Sequence, residues 1–256
     1  MKETATLRAA GAIPLGQTRT RSSSAPDTGR MSQQPSPPSA GPVGTLWRLT
    51  SAPGEYRVLP DGVVDLMYFD GRLFVAGPDT AGYTGTSPAS DAYGLRLNPG
   101  VAAEVLGLPM NELAGTTLDL ADVVHLPSAL TDAAHRDPAA ALAAIARRLW
   151  TQADVDRRSL ALAASLDKAA RGGQDVRTIA GRHHLSERTL RRIAHRTFGY
   201  GMKTLTSIHR FQQALALARE GEALAQVAAA AGYADQAHLA RETRRFAGVT
   251  MTELLA

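Results

Sequence analysis

The chain has 256 residues, no cysteine and a formal net charge of +4, and 44% of its residues are hydrophobic. The lack of cysteine excludes disulfide bonds, thiol catalysis and cysteine-ligated zinc. No apolar run approaches the roughly 18 residues that span a bilayer, and the N-terminus lacks a signal-peptide pattern. A soluble, cytoplasmic protein with no membrane partner is therefore expected.

Residues 1–45 differ in composition from the remainder of the chain. They are rich in Ser, Pro and Gly and contain few aliphatic residues. Such a segment cannot bury enough apolar surface to offset the entropy that is lost when it orders. The composition predicts a disordered tail over 1–45, with Met31 as an alternative start of translation.

Residues 56–97 have the pattern of short strands, in the runs YRVLP, VVDLMYF, RLFVAG and AYGLRL. The pair Asp70-Gly71 lies between two of these runs and predicts a two-residue hairpin turn. After residue 100 the apolar residues follow helical spacing, including two apolar helices, AAALAAIARRLW and RRSLALAASL, which are candidates for a dimer seam. The helix over 157–171 ends at Gly172-Gly173, which predicts a domain boundary there.

Charge is divided unevenly along the chain. Residues 171–256 hold 13 Lys and Arg against 7 Asp and Glu, whereas residues 46–170 hold 10 against 15. A basic C-terminal part on an acidic body predicts a polyanionic partner for the C-terminal part alone.

Residues 178–205 and 226–254 repeat one another. Each copy contains a short Ala-rich helix, a turn, an N-cap residue (Ser186 or Asp235), a second helix and a closing Gly. The copies align at an offset of 48 before the turn and 49 after it, so the second turn has one extra residue. This is the helix-turn-helix plan. The predicted fold class is α+β: a mixed strand and helix domain over 46–156, a linking helix over 157–171, and an all-α tandem helix-turn-helix DNA-binding domain over 172–256.

The second helix of each copy places cations opposite its apolar stripe when residues are spaced at 100°. A single basic helix is most often just a solvated surface, but two with matching turns favour a nucleic acid partner. An α-helix fits the major groove, and arginine can read guanine while neighbouring cations bind phosphates. The residues on these faces are Arg188, Arg191, Arg192 and His195 in the first helix, and Ala237, His238, Arg241, Arg244 and Arg245 in the second.

The segments LSERTLRRIAHRTFG and GYADQAHLARETRRFAGVT resemble the two helix-turn-helix signatures of the AraC/XylS family of bacterial transcription regulators. The resemblance covers residues 172–256. It implies a sequence-specific regulator of transcription whose two units enter successive major grooves of double-stranded DNA, joined by a helix over 205–220. RNA polymerase is a further candidate partner.

The resemblance assigns base-facing positions to both second helices. Together with the cationic faces, these are Arg188, Arg191, Arg192, His195, Gln236, Ala237, His238 and Arg241. Phosphate contacts are predicted for cations near the ends of the reading helices and just before the joining helix, namely Arg196, Lys203, Arg244 and Arg245.

The sequence departs from the family pattern in three ways, at four residues. His184 replaces the Gly that is usual in the first turn, and it tolerates the left-handed conformation less well than Gly. Met202 and Met251 replace the usual Pro after each closing Gly, which predicts looser loops. Ala237 cannot hydrogen-bond a base and can only pack on a thymine methyl group.

The segments RVLPDGVVDLMYFDGRLFVAGPDT (57–80) and GLRLNPGVAAEVLGLPMNEL (94–113) resemble an N-terminal domain of unassigned function that is joined to AraC-type modules in high-GC bacteria. The resemblance implies a sensing or dimerising role, so a small-molecule effector and a homodimer are candidate partners. The ligand, the target promoter and the sign of regulation do not follow from the sequence.

No catalytic residue, metal site or cofactor is predicted. Four aspartates in the strand region lie at strand ends and turns, where turn geometry favours Asp; they are Asp61, Asp65, Asp70 and Asp79. The adjacent pair His183-His184 does not face one point on a helix. Trp47 and Trp150 are predicted to pack rather than to form a ligand cage. An enzymatic N-terminal domain fused to the DNA-binding module is the alternative function, and a purely architectural DNA binder is a third.

Overall fold

The computed structural model describes residues 42–87 and 90–256. In these ranges the strands of the N-terminal domain are β1 Gly44–Ser51, β2 Gly54–Val58, β3 Asp65–Phe69, β4 Arg72–Ala76, β5 Tyr83–Ser87, β6 Ser90–Leu97 and β7 Thr117–Asp119. They form a five-stranded antiparallel sheet of order β1-β6-β3-β4-β7 and a separate β2-β5 pair.

The start of β1 corrects the predicted end of the tail. Val43 is 2% exposed and joins the core, and Gly44 already pairs with Leu97. The folded domain therefore begins at least three residues before the predicted boundary at 46, while the prediction for residues 1–41 lies outside the described residues. Strands β1, β5 and β7 were not predicted, and β7 lies in a segment that was expected to be helical.

The turn between β3 and β4 is the predicted hairpin. Phe69 pairs with Arg72, so the loop consists of two residues. Asp70 and Gly71 have φ angles of 48° and 74°. Two left-handed residues in succession match the twist of the flanking strands, and Asp tolerates this conformation better than most residues.

The helices of the N-terminal domain cover one face of the sheet. They are α1 Val101–Val105, α2 Leu120–Val123, α3 Ser128–Arg136 and α4 Pro138–Gln152, with a 3-10 turn at Met110–Glu112. The apolar face of α4, including Leu142 and Ile145, is fully buried against sheet residues such as Leu66 and Leu95. This face is buried within the domain and is not available to a second subunit, so the dimer seam predicted on α4 is wrong.

The C-terminal domain consists of helices alone. They are α5 Arg157–Arg171, α6 Val176–Arg182, α7 Glu187–Phe198, α8 Met202–Arg219, α9 Leu224–Ala230, α10 Gln236–Ala247 and α11 Met251–Leu255. Among the residues that the structure describes, no helix has the length and apolar character needed to span a bilayer.

Helix α5 has the predicted bounds but a different role from the predicted one. Its residues Ala163, Leu166, Ala169 and Ala170 are all buried in the C-terminal core. Helix α5 is therefore the first helix of the C-terminal domain rather than a linker, and it has no apolar stripe left for a dimer seam. The pair Gly172-Gly173 forms only a turn inside this domain, with Gly173 at a φ of 67°.

A buried hydrogen bond joins α5 to α8. Asp167 is 8% exposed and His209 is 6% exposed. The carboxylate of Asp167 accepts hydrogen bonds from His209 Nε2 and from Arg171 Nε, both at 2.8 Å. Burial favours the neutral acid, but the bonds from His209 and Arg171 outweigh it and lower the pKa of Asp167.

Candidate nucleic-acid interface

The two repeated segments fold as two equal units. Helices α6 and α9 have seven residues each, and helices α7 and α10 have twelve each. Four residues separate the helices of the first unit and five separate those of the second. The extra residue inferred from the alignment therefore lies in the turn, as predicted.

The two turns close in the same way. His184 and Gly232 both adopt left-handed conformations, with φ angles of 52° and 76°. The next residue in each turn, Leu185 or Tyr233, donates its backbone N–H to a carbonyl five residues earlier, at 2.9 and 2.8 Å. His184 thus takes the position that glycine holds in the second unit, and it bears the backbone strain itself.

The predicted caps define the start of each second helix. Ser186 Oγ accepts from the backbone N–H of Thr189 at 3.0 Å, and the Asp235 carboxylate accepts from that of His238 at 2.6 Å. Each bond satisfies an N–H that has no partner within the helix. Gly199 and Gly248 end α7 and α10 in the left-handed conformation, with φ angles of 83° and 74°.

The expected looseness after the closing glycines is not observed. Met202 and Met251 are the first residues of α8 and α11, and each is 3% exposed. This is the helical position where Pro is usual. Each Met instead fills the core and fixes the start of the next helix.

Helix α7 presents its cations to solvent. Its apolar stripe, including Leu190 and Ala194, is fully buried. Arg188, Arg191 and Arg192 are exposed, whereas His195 is half-buried.

Helix α10 repeats this arrangement, with differences at its start. Leu239, Thr243 and Phe246 are buried, as the helical spacing predicted. His238 is half-buried, and its ring packs edge-on against Tyr233 at 5.1 Å between centroids. The exposed face of α10 contains Gln236, Ala237, Arg241, Arg244 and Arg245.

The acid on α10 points away from this exposed face. Glu242 is half-buried and accepts from Arg210 of α8 at 2.9 Å, while Arg245 is more distant at 3.6 Å. The guanidinium of Arg210 also stacks on the Tyr233 ring at 4.5 Å, and burial above all raises the pKa of Tyr233 to about 12. Glu242 therefore stabilises the packing of α10 on α8 and neutralises little of the outer face.

Most of the outer cations have no acidic partner. Within residues 42–87 and 90–256, no side-chain hydrogen bond or ion pair involves Arg188, Arg191, Arg192, Arg196, Lys203 or Arg241. The charge of Arg244, by contrast, adds to the hydrogen bonds from Thr250 in lowering the pKa of Glu253. Uncompensated cations on neighbouring helical turns repel one another, and a polyanion relieves this repulsion.

Two further cations join this group, and the sequence analysis did not assign them. Arg177 and Arg182 lie on α6 and are exposed, whereas α9 contains no charged residue. The first helix of a helix-turn-helix unit crosses the DNA backbone, where cations meet phosphates. The signal was present in the charge count, but the analysis considered only the second helix of each unit.

The four aspartates that were considered as a catalytic cluster have structural roles instead. Asp61 and Asp65 both pair with Arg96, at 2.6 and 3.5 Å, and Asp70 forms the hairpin turn. Asp79 lies half-buried in the loop between β4 and β5. In the described ranges, no group of three or more His, Asp or Glu residues is arranged to hold a metal ion.

The other residues considered as ligand groups are also engaged in packing. Trp47 lies across Gly94 and donates from Nε1 to Asp65 at 3.0 Å, and Trp150 packs against the N-terminal core. His183 Nε2 is 3.3 Å from Ser165 Oγ on α5.

Asp79→Asn is expected to stabilise the protein at neutral pH. Burial, and secondarily the charge of Asp61, raises the pKa of Asp79 to about 6. The folded state therefore binds a proton more tightly than the unfolded state, and wild-type stability falls as pH rises from about 4 through about 6. The variant should gain about 1–2 kcal/mol at about pH 7.5, allowing for solvent screening.

Urea unfolding of the full chain at about pH 5 and about pH 7.5 measures this effect, with the exposed Asp132→Asn as the matched control. An equal difference between Asp79→Asn and wild type at both pH values would show that the carboxyl of Asp79 does not titrate in this window.

Both domains match known families. Residues 179–256 match a helix-turn-helix domain family, and residues 32–119 match a domain of unknown function, DUF6597. No curated protein sequence matches the chain significantly.

Solved structures of ToxT from Vibrio cholerae show a distant likeness. A structure from strain O395 has 10% sequence identity and a TM-score of 0.47, covering 82% of this chain and 95% of ToxT. A structure of wild-type ToxT with bound unsaturated fatty acid has 12% identity and a TM-score of 0.45, covering 83% and 94%. At this identity and TM-score, the bound fatty acid is a finding about ToxT and does not indicate a ligand for this chain.

The tandem helix-turn-helix units, their cationic outer faces and the family match agree on one class of protein. The chain is a DNA-binding transcription regulator of the AraC type. Its N-terminal domain belongs to a family whose function is not established.

Proposed function

We propose that α7 and α10 read two successive major grooves of one DNA duplex. The observation that carries this proposal is the pair of exposed cationic faces on two helices of equal length, on which Arg188, Arg191, Arg192 and Arg241 form no ion pair among the described residues. Helix α8 joins the two units as one 18-residue helix. A helix of this length extends about 27 Å, which is of the order of one turn of DNA, about 34 Å.

The proposal divides the exposed residues into two roles. Side chains in the first two turns of each helix contact base edges, because a reading helix enters the groove by its N-terminal part. Those side chains are Arg188, Arg191, Arg192, Gln236, Ala237, His238 and Arg241, and His195 at the start of the third turn of α7 completes the base-facing set. Later cations and those outside the groove bind phosphates, which position the protein and carry no sequence information. This second group is Arg196, Lys203, Arg244 and Arg245, to which we add Arg177 and Arg182.

His195 and His238 are the weakest members of the base-facing set. Both are half-buried, and His238 Nδ1 lies 3.5 Å from the backbone nitrogen of Ala234 in the turn. Each would contact a base with one edge of the ring only. We therefore expect their substitution to cost less affinity than substitution of the exposed arginines.

Arg191→Ala and Arg192→Ala are each expected to weaken binding to the specific site by roughly 1–3 kcal/mol and to relax base preference at one position. Arg244→Ala should weaken binding to all duplexes about equally and reduce the salt dependence, because phosphates are the same in every sequence. Fluorescence anisotropy with a duplex selected by the wild-type protein and with a scrambled duplex measures both effects.

Arg219→Ala provides the matched control, since Arg219 is an exposed arginine at the far end of α8. If Arg191→Ala and Arg192→Ala lowered affinity for the scrambled and the selected duplex by the same factor, as Arg244→Ala is expected to do, the assignment of base-reading residues would be incorrect. A wild-type protein that enriches no sequence from a random library would contradict sequence-specific reading altogether.

We propose a sensing role, rather than a catalytic one, for the N-terminal domain. Asp65 is held by Arg96 and by Trp47, and Asp61 is held by Arg96, so these acids serve the packing of the sheet. A cleft of about 160 Å3 lies between the domains, beside Arg96, Asn98 and Arg171. Typical ligand pockets measure about 300–1,000 Å3, so an effector in this cleft would be small.

A further inference from the structure

The N-terminal domain contacts the end of the second reading helix. Arg57 Nη1 donates to the backbone carbonyl of Ala247 at 2.6 Å, and the backbone N–H of Gly82 donates to that of Phe246, also at 2.6 Å. The last carbonyls of a helix have no partner within the helix. The guanidinium of Arg57 also complements the negative end of the α10 dipole.

The same domain contacts the end of the first reading helix. A Cβ placed on Gly199, which closes α7, would lie 2.6 Å from Pro78 and 3.1 Å from the carbonyl oxygen of Met110. Only a residue without a side chain permits so close an approach, and Gly199 also has a left-handed φ of 83°. Helix α7 is thus seated against the loop that follows β4 and against the 3-10 turn.

A third contact lies on α8, between the two units. Gln212 Nε2 donates to the carbonyl of Pro60 at 2.6 Å. A Cβ on Gly62 would lie 3.0 Å from Leu205 and 3.3 Å from His209, so this loop rests directly on the helix.

Two short segments, 57–62 and 78–82, make the contacts with α8 and α10. Segment 78–82 also makes the Pro78 contact with α7. These segments are held together by the β2-β5 pair, in which Val58 pairs with Tyr83. One strand pair therefore supports the ends of both reading helices and the helix between them. The contacts lie at the C-terminal ends of α7 and α10, away from the first turns that carry the base-facing residues.

We propose that these contacts, which we call the brace, hold the C-terminal ends of the two reading helices in place. The N-terminal domain thereby sets the spacing between the two DNA sequences that the helices recognise. This inference rests on the proposed function, because a spacing has meaning only if both α7 and α10 read DNA. Once one unit is bound, the second binds at an effective concentration that depends on how firmly the two are held. Loosening the brace lowers that effective concentration and leaves each unit unchanged.

Two variants disturb the brace by different means. Arg57→Ala removes the donor to Ala247. Gly82→Ala inserts a methyl group 2.8 Å from the Phe246 carbonyl oxygen and 2.9 Å from that of Val58, without backbone strain because the φ of Gly82 is not left-handed. Arg48→Ala is the matched control, since it loses an exposed ion pair to Asp91 of equal length, 2.6 Å, within the N-terminal domain.

The test uses the full chain and duplexes enriched from a random library by the wild-type protein. Binding is measured on a duplex with both recognition sequences, on duplexes with one of them, and on duplexes in which the spacing is changed by one base pair. Both brace variants should bind the two-sequence duplex about 3- to 10-fold more weakly. They should bind single-sequence duplexes like wild type and should lose less affinity than wild type when the spacing changes. Arg48→Ala should match wild type throughout.

Several outcomes would overturn the brace. One is an equal loss on single-sequence and two-sequence duplexes, since that indicates damage within a unit. A second is that both variants remain as sensitive to the spacing as wild type. A third is that both variants bind DNA more tightly than wild type, since that would mean that the N-terminal domain weakens DNA binding. A wild-type protein that enriches no sequence would overturn the proposed function and the brace together. Circular dichroism melting curves verify that each variant is folded.

Discussion

A fragment of residues 156–256 is expected to fold and to bind duplex DNA, whereas a fragment of residues 172–256 is expected not to fold. The shorter fragment contains both helix-turn-helix units but lacks α5. It thereby loses Leu166, which is fully buried, and the buried alanines of the same helix. Truncating one large core side chain costs about 2–5 kcal/mol, so losing the whole helix removes stabilisation comparable to the entire stability of a small domain, about 5–15 kcal/mol.

The longer fragment begins at Asp156 for a structural reason. Its carboxylate accepts from the backbone N–H of Arg158 at 2.9 Å and so caps α5. Thermal unfolding followed by circular dichroism should show one cooperative transition for residues 156–256 and none for residues 172–256. Cooperative unfolding of the shorter fragment would show that α5 is dispensable to the C-terminal core.

DNA binding by the longer fragment should weaken steeply with salt. Each phosphate that is neutralised contributes about −0.9 to the slope of log K against log salt. Anisotropy titrations over a salt series measure that slope. A fragment that folds but shows no salt-dependent binding would contradict the DNA contact assigned to α7 and α10.

Asp167→Ala is expected to destabilise the protein by about 1–3 kcal/mol, because removing the acceptor leaves a buried hydrogen-bond donor unsatisfied. His209 would keep a buried Nε2–H with no acceptor, since it is 6% exposed and Asp167 is its partner at 2.8 Å. The loss should appear in the DNA-binding domain, as a lower urea midpoint for the 156–256 fragment. The exposed Lys168→Ala, on the adjacent position of α5, is the control and should change stability by less than about 0.5 kcal/mol.

The effect of Asp167→Ala should depend on pH in one direction. The folded protein holds the pKa of Asp167 below its ordinary value. The stabilisation is therefore present above the unfolded pKa of about 3.9 and is lost as pH falls through the lowered, folded value. Wild type and variant should differ fully at neutral pH and converge only in strong acid. A difference that disappears well above about pH 4 would show that Asp167 is not the group responsible.

The local parts of this protein follow from its sequence because they depend on neighbours within a few residues. The Asp70-Gly71 hairpin, the Ser186 and Asp235 caps, and the inward stripe of α10 were all predicted and are all present. Each rests on a rule that acts within one turn or one helix period. The tandem repeat extends the same reasoning, because two copies of a local pattern specify two copies of one unit.

The sequence alone therefore determined two helix-turn-helix units with cationic reading faces. Tertiary structure decided the rest, because it depends on which distant surfaces meet. Helix α5 looked like a linker that ends at Gly172-Gly173, yet its apolar stripe belongs to the C-terminal core. Glu242 lies among the reading arginines in the sequence, yet in the structure its carboxylate pairs with Arg210 of α8. The contacts of Arg57 and Gly82 with the end of α10 join residues more than 160 positions apart. Neither hydrophobic periodicity nor a helix-cap pattern predicts a contact between two domains.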